Sequence, residues 1–357
     1  MKIAIATPYY PPHIGGIEIH AKNLVENLRE RGHEVTVLSS SSGSDLVVRS
    51  LKIPYSPIPL SFPKIKSQIY HSHVPSPFFA RKMDEIAERE GKPHVITYHN
   101  DVIVPSRVDG WVIPRFIGSG IERVNEFIVN KLLEKADVII ATTKSYAESS
   151  PVLSKFMEKV KIVPNGVDVS EFRPGKNAGE REPIVLYVGR LVAYKGVATL
   201  IKAMSEVQRE LDANLVIVGD GEDRKRFERL TKELNVNATF MGVLSKREVA
   251  EWMQRARVLV LPSFSRLEAF GIVLLEAMSC STPVISANIP GPSEIALHGG
   301  MTFNDVSELS EKIKEILTRD QLATRLGRAG RKAVEEKFSW EVVTNKIEKI
   351  YNELLST

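Results

Sequence analysis

Short apolar runs alternate with amphipathic stretches along this chain, in two successive series, and few folds accept that order. Lys2 to Thr7 (KIAIAT) reads as a buried strand, and TPYYPPHIGG leaves it as a loop. Ile17, Ala21, Leu24, Val25 and Leu28 then recur at helical spacing until Gly32 stops the helix. Val35 to Leu38 is the next strand, followed by apolar runs at 69–73, 94–99, 136–142 and 160–163. A second series has strands at 184–188, 215–218, 239–241, 258–261 and 283–286, with helical segments between them. Strand, loop, helix and strand in that order build a parallel, doubly wound sheet. The fold class is therefore α/β, with two Rossmann-like domains expected to face one another across a cleft. A length of 357 residues supplies two separate cores. The boundary is placed at Pro164-Asn165-Gly166-Val167-Asp168, ahead of a polar linker at 174–182, which divides the chain into residues 1–168 and 169–340.

Composition excludes several classes. A net charge of +4 with no dense Lys/Arg block argues against nucleic acid. The single cysteine, Cys280, cannot form an internal disulfide and sits in the apolar run MSCSTPVI, as a packed small hydrophobe would. MKIAIATPYYPP is too short an apolar run for a signal peptide, and no stretch approaches a membrane span. A cytoplasmic protein is expected, with peripheral docking on the inner membrane face left open. The first loop lacks G-x-G-x-x-G, which counts against a dinucleotide-dependent dehydrogenase.

One stretch of the second series concentrates polar chemistry. SRLEAFGIVLLEAM, Ser265 to Met278, begins where the strand at 258–261 ends in Pro262. Glu268 falls in the turn before a helix that starts near Gly271, and Glu276 lies inside that helix, eight residues on. Carboxylates accept hydrogen bonds from sugar hydroxyls, and helix N-terminal amides stabilise phosphate oxygens. A nucleotide sugar offers both groups; a strand, a polar loop and a helix with one surface Glu is the plainer reading of the same residues. Gly189-Arg190 follows one strand and Lys195-Gly196 opens the next helix, a placement suited to a pyrophosphate or simply to a solvated turn. Gly15 and Gly16 stand before the first helix, where a phosphate or sugar can approach the backbone. The run Gly219-Asp220-Gly221-Glu222-Asp223 crowds three carboxylates, but Asp220 and Glu222 serve equally as caps of the following helix, so no metal is assigned. His71 and His73 are expected to point to opposite faces of their strand and to be poor joint metal ligands.

SRLEAFGIVLLEAM followed by Gly291-Pro292-Ser293-Glu294 resembles the donor-site signature of retaining family 4 glycosyltransferases, which have the GT-B fold. VGRLVAYKG (Val188 to Gly196), VGDGED (Val218 to Asp223) and PNGVD (Pro164 to Asp168) stand in that family's order, and Gly15-Gly16-Ile17-Glu18 is similar to its N-terminal loop. The likeness covers nearly the whole chain. It implies a retaining transferase that needs no metal and no cofactor beyond a nucleotide-sugar co-substrate. Arg190 and Lys195 would hold the donor diphosphate, Glu268 and Phe270 the sugar, and Glu276 the ribose. Gly271, Ile272 and Val273 would supply helix N–H groups, with Gly189, Gly219 and Leu244 lining the donor pocket and Gly15 and Gly16 facing it. The segment T-Y-H-N-D resembles the family's T-x-H-D, which assigns His99 to the transferred sugar. The intervening Asn100 leaves Asp101 only an acceptor-side candidate. Residues 102–120, with Arg107, Trp111 and Arg115, are expected to be irregular and to shape the acceptor site. Phe338-Ser339-Trp340 is similar to the point where the chain crosses back, so the last helix, 341–357, would pack on the first domain. The partners implied are a nucleotide-sugar donor and a sugar, polyol or lipid acceptor. A nucleotide-sugar epimerase of the same fold and a non-catalytic nucleotide-sugar binding protein are the rival readings.

Overall fold

The computed structural model describes residues 1–13, 15–51, 56–104, 107–108 and 111–356. The side chains of Arg107 and Trp111 lie outside the described residues. The chain divides into two compact units, Met1–Asn165 with Trp340–Thr357, and Gly166–Ser339.

The first unit contains a seven-stranded parallel sheet of β1 (Lys2–Ala6), β2 (Glu34–Ser39), β3 (Leu46–Val47), β4 (Ile69–Val74), β5 (His94–Tyr98), β6 (Val138–Ala141) and β7 (Val160–Ile162). The strands lie in the order β7-β6-β5-β4-β1-β2-β3. Alternation along β1 divides its side chains between two cores. Ile3 and Ile5 pack with Ala21, Leu24 and Leu28 of α1 (Gly16–Glu30), whereas Ala4 and Ala6 pack with Phe79, Met83 and Ile86 of α2 (Pro77–Glu90). Each fully buried Leu, Ile or Phe contributes about 1.5–3 kcal/mol, so the period-two pattern of one strand supports both faces. Helix α3 runs over Arg115–Lys135, which corrects the expectation of irregular chain to 120. Gly118 and Gly120 argue against a helix by propensity, but the helix forms through both, with Gly118 buried beside Val104. Helix α4 (Lys144–Ser149) is capped by the Thr143 side chain.

The second unit holds a six-stranded parallel sheet of β8 (Glu182–Val188), β9 (Asn214–Val218), β10 (Ala238–Gly242), β11 (Ala256–Leu261), β12 (Val284–Ala287) and β13 (Gly300–Phe303), in the order β10-β9-β8-β11-β12-β13. Its helices are α5 (Val197–Val207), α6 (Arg224–Glu233), α7 (Lys246–Arg255), α8 (Ile272–Ser279), α9 (Pro292–Ala296), α10 (Val306–Thr318) and α11 (Asp320–Ala333). Val185 and Tyr187 of β8 face the core that α5 and α10 close, while Ile184 and Leu186 face the one that α7 and α8 close. Helix α7 starts with a reciprocal capping box, Ser245 with Glu248. The caps expected from Asp220 and Glu222 are not formed at α6. Its N-cap residue is Asp223, without a side-chain cap bond, and Asp220 accepts instead from the Gly221 N–H and pairs with Arg224. Buried Arg181 donates to the carbonyls of Lys176, Met253, Ala256 and Cys280 and to Thr282, joining three stretches of chain.

The chain returns to the first unit as α12 (Trp340–Ser356). Val343, Ile347 and Tyr351 join the core under α1, and the Arg31 guanidinium and His33 hold Glu348. The units part between Asn165 and Gly166, three residues before the expected division, because the Val167 side chain enters the second unit's core and its N–H donates to the Phe338 carbonyl at 2.9 Å. Among the described residues no helix is long and apolar enough to cross a membrane.

Candidate functional site

In the second unit the strand order reverses between β8 and β11, and open α/β sheets bind ligands beyond the carboxyl ends of such strands. Two loops leave that point. One carries Gly189, Arg190 and Lys195 from β8; the other carries Pro262 to Gly271 from β11. Gly196 (φ +73°) presses so near the second loop that a Cβ there would stand 2.0 Å from the Pro262 carbonyl oxygen, and Ser263 Oγ donates to the Tyr194 carbonyl at 3.0 Å. This close approach, together with the turn in which the Glu268 N–H donates to the Ser265 carbonyl, places Lys195 Nζ 2.5 Å from Glu268 Oε2. Burial works against the Lys195 charge, but Glu268 outweighs it and holds the ammonium above its usual range. Arg190 is exposed beside them, and its carbonyl accepts from the Tyr187 hydroxyl. Gly189 and Gly219 close the neighbouring strand ends, the N–H of Gly189 donating to Val218 and that of Gly219 to Gly242.

Helix α8 begins immediately after the Glu268 turn. Gly271 occupies its N-cap in the left-handed region (φ +81°), which only glycine adopts without strain. A helix N-terminus presents amides with no intrahelical acceptor, here those of Ile272 and Val273, next to buried Phe270. Glu276 lies one turn further on. Burial pushes its carboxyl up to about 7, with the Lys246 charge opposing the shift and Glu171 adding to it. Leu244 lines a shallow groove with Met241 and Trp252 and packs on the core that Ile272 and Val273 flank. The residues singled out in this unit thus fall on loops at the carboxyl ends of β8, β9, β10 and β11 and on the helix after β11.

In the first unit the order reverses between β1 and β4. Gly15 is the N-cap of α1 and Gly16 its first residue. The space beside them is taken by Glu18, because a Cβ on Gly15 would meet Glu18 Oε2 at 2.3 Å. Glu18 is buried and lies 3.1 Å from His13 Nδ1. A carboxylate at this helix start repels phosphate and accepts hydroxyls. Any group approaching Gly15 and Gly16 would meet this carboxylate.

A cluster of buried histidines lies under this helix. His71 and His73 share one face of β4, as residues two apart on a strand must, and their rings stack with centroids 4.8 Å apart; the expectation of opposite faces is wrong. His71 bonds the Tyr351 hydroxyl and Thr97, and His73 Nδ1 lies 2.9 Å from His99 Nε2. His20 of α1 stands edge-on to both His73 and His99, and the Asn165 side chain is its polar neighbour. Its signal in the sequence was a polar residue between Ile17 and Ala21 on the apolar stripe. Burial lowers the pKa of all four, to about 4 for His20 and about 3 for His71, and well below the usual range for His73 and His99. Ring nitrogens of His20, His73 and His99 lie within 4.8 Å of one another, so these neutral rings could hold a transition-metal dication. All three ligands are neutral, which would leave the ion its full charge in a buried place. Asp101 is also buried. Its carboxylate accepts from Tyr98, Ser150 and Tyr146, which ties down the loop after β5.

Comparison with known proteins adds three findings. The models for Glycosyltransferase Family 4 and for Glycosyl transferases group 1 match residues 14–171 and 168–333. The chain is 25% identical to N-acetyl-alpha-D-glucosaminyl L-malate synthase of Bacillus anthracis, over 99% of this chain and 98% of that one. Among solved structures it superposes on sucrose-phosphate synthase of Thermosynechococcus elongatus with TM-score 0.79 at 23% identity, over 99% of each chain. It also superposes on Anabaena HepE in complex with UDP and glucose, with TM-score 0.75 at 17% identity, over 99% of this chain and all of that one.

Proposed function

The chain belongs to glycosyltransferase family 4 and has the GT-B fold, and on that premise we propose that it moves a sugar from a nucleotide-sugar donor to a hydroxyl acceptor with retention of anomeric configuration. The carrying observation is the Lys195–Glu268 pair beside the open N-terminus of α8, which sets a cation, a hydroxyl acceptor and free amides at one sheet switch point. UDP bound to HepE supports a nucleoside diphosphate as the leaving group.

In this reading the bond from the anomeric carbon to the diphosphate oxygen breaks, and the new bond to the acceptor oxygen forms on the same face. The acceptor's proton passes to the departing phosphate oxygen. Negative charge grows on that phosphate, and Lys195, Arg190 and the α8 amides stabilise it where it develops. Glu268 orients sugar hydroxyls, and Glu276, ionised when the donor is bound, accepts from the ribose. Leu244 packs on the base. His73 engages His99 Nε2, so His99 would offer its other ring nitrogen, Nδ1, to the transferred sugar. No divalent metal is required, because the cations at the diphosphate are side chains.

The test is a panel of nucleotide sugars assayed first by thermal shift, since a bound donor raises stability by mass action. Donors that shift the melt are then offered with sugar, polyol and lipid acceptors. Release of nucleoside diphosphate together with an α-linked product from an α-linked donor is expected. Free nucleotide with an epimerised sugar and no acceptor would establish the epimerase, and binding without turnover the non-catalytic protein.

A further inference from the structure

Helix α3 has apolar residues on two sides. Gly118, Val129, Leu132 and Leu133 are buried against the first unit, as a surface helix requires. On the other side Phe116 (77% exposed), Ile117, Ile121, Val124 (62%) and Phe127 (60%) face outward. Five of the thirteen large apolar side chains exposed among the described residues are on this one helix. At 3.6 residues per turn they form a continuous stripe roughly 140° wide. Isolated exposed apolar residues need no explanation; a contiguous stripe of this kind marks an interaction surface.

Charge selects the occupant. Arg123 is exposed on the border of the stripe, and Lys131 continues its line one turn beyond Phe127, with the ammonium 4.4 Å from the centre of the Phe127 ring. Arg115, three-quarters exposed, begins the helix. Two acidic residues of the helix are engaged elsewhere, Glu122 with the Val104 N–H and Arg115 and Glu126 with Lys155, while Glu134 is exposed. A second copy of this chain would bring like charges together across a two-fold axis. An anionic lipid surface takes both features, since apolar side chains enter the acyl boundary while Arg and Lys reach the headgroups. We propose that α3 docks the protein on an anionic membrane surface, lying in the interface rather than crossing it. This surface is independent of the donor chemistry and is read without any activity measurement.

The test is co-sedimentation of the full chain with vesicles of phosphatidylcholine alone, or of phosphatidylcholine and phosphatidylglycerol in equal parts. The protein should pellet with the anionic vesicles and be released by salt. Phe116→Gln with Phe127→Gln should abolish pelleting while leaving the melting temperature unchanged, because both side chains are exposed. Arg123→Gln and Lys131→Gln should each weaken binding about fivefold. Failure to pellet at low salt, or binding unaffected by the double Phe variant, would overturn the proposal. So would concentration-dependent self-association without vesicles that the same variant removes, because it would make the stripe a contact between copies.

Discussion

Lys195 Nζ and Glu268 Oε2 stand 2.5 Å apart in the second unit although 73 residues separate them in the chain. The two groups proposed to meet phosphate and sugar hydroxyls are held to each other as an ion pair. Lys195→Ala should lower kcat roughly 100- to 1,000-fold, about 3–4 kcal/mol, because the lost charge faces the phosphate that becomes more negative in the transition state. Arg190→Ala should act in the same direction. The double variant should fall short of the summed losses, since both cations serve one leaving group. Steady-state kinetics, with folding checked by melts, decides the matter; a rise confined to KM would remove Lys195 from leaving-group stabilisation.

Glu276→Ala should act on binding. A ribose contact gains nothing as the reaction proceeds, so KM should rise while kcat changes little. Burial raises its carboxyl from 4.5 to about 7. A carboxyl with a raised folded pKa stabilises the fold below the unfolded value and loses that contribution as pH rises toward 7. Donor binding, which needs the carboxylate, should strengthen across the same window. Calorimetric titration of UDP-glucose, or of whichever donor the panel identifies, at pH 6 and pH 8 should show that gain in the wild type. In Glu276→Gln it should disappear.

The buried imidazoles of the first unit predict acid lability. His20, His71, His73 and His99 have folded pKa values below the usual 6.5, so their neutral forms contribute fully above pH 6.5. That contribution is lost as pH falls toward the folded values, by up to about 1.4 kcal/mol per imidazole for each pH unit. Hydrogen exchange at pH 5 should open peptides of α1, β4 and β5 before those of the second sheet. His20→Leu should flatten the acid limb, since it removes one of the buried imidazoles that acid must charge.

Turnover should persist after dialysis against EDTA, with no gain from added magnesium or manganese. Loss of activity that a divalent ion restores would contradict the proposed route. Elemental analysis of the purified chain adds a separate readout. A stoichiometric transition metal that is lost in His20→Leu would place it at the His20, His73 and His99 rings.

Much of this architecture was legible along the chain. Period-two and period-3.6 patterns reflect neighbours a few residues apart, so β1, α1, β8 and the turn from Glu268 into α8 could be read directly from the sequence. The shared face of His71 and His73 was equally legible from strand alternation, and there the reading failed. What only the tertiary structure decided is which distant residues meet. Positions 20, 73 and 99 belong to three elements, and their meeting depends on strand order, which local patterns do not specify. The Lys195–Glu268 contact likewise exists because β8 and β11 are neighbours in the sheet. The apolar residues of α3 recur at helical spacing, but which of its two apolar sides faces solvent depended on what packs against it. Local periodicity determines the element; burial of one face against another, chosen among competing pairings across the whole chain, determines the site.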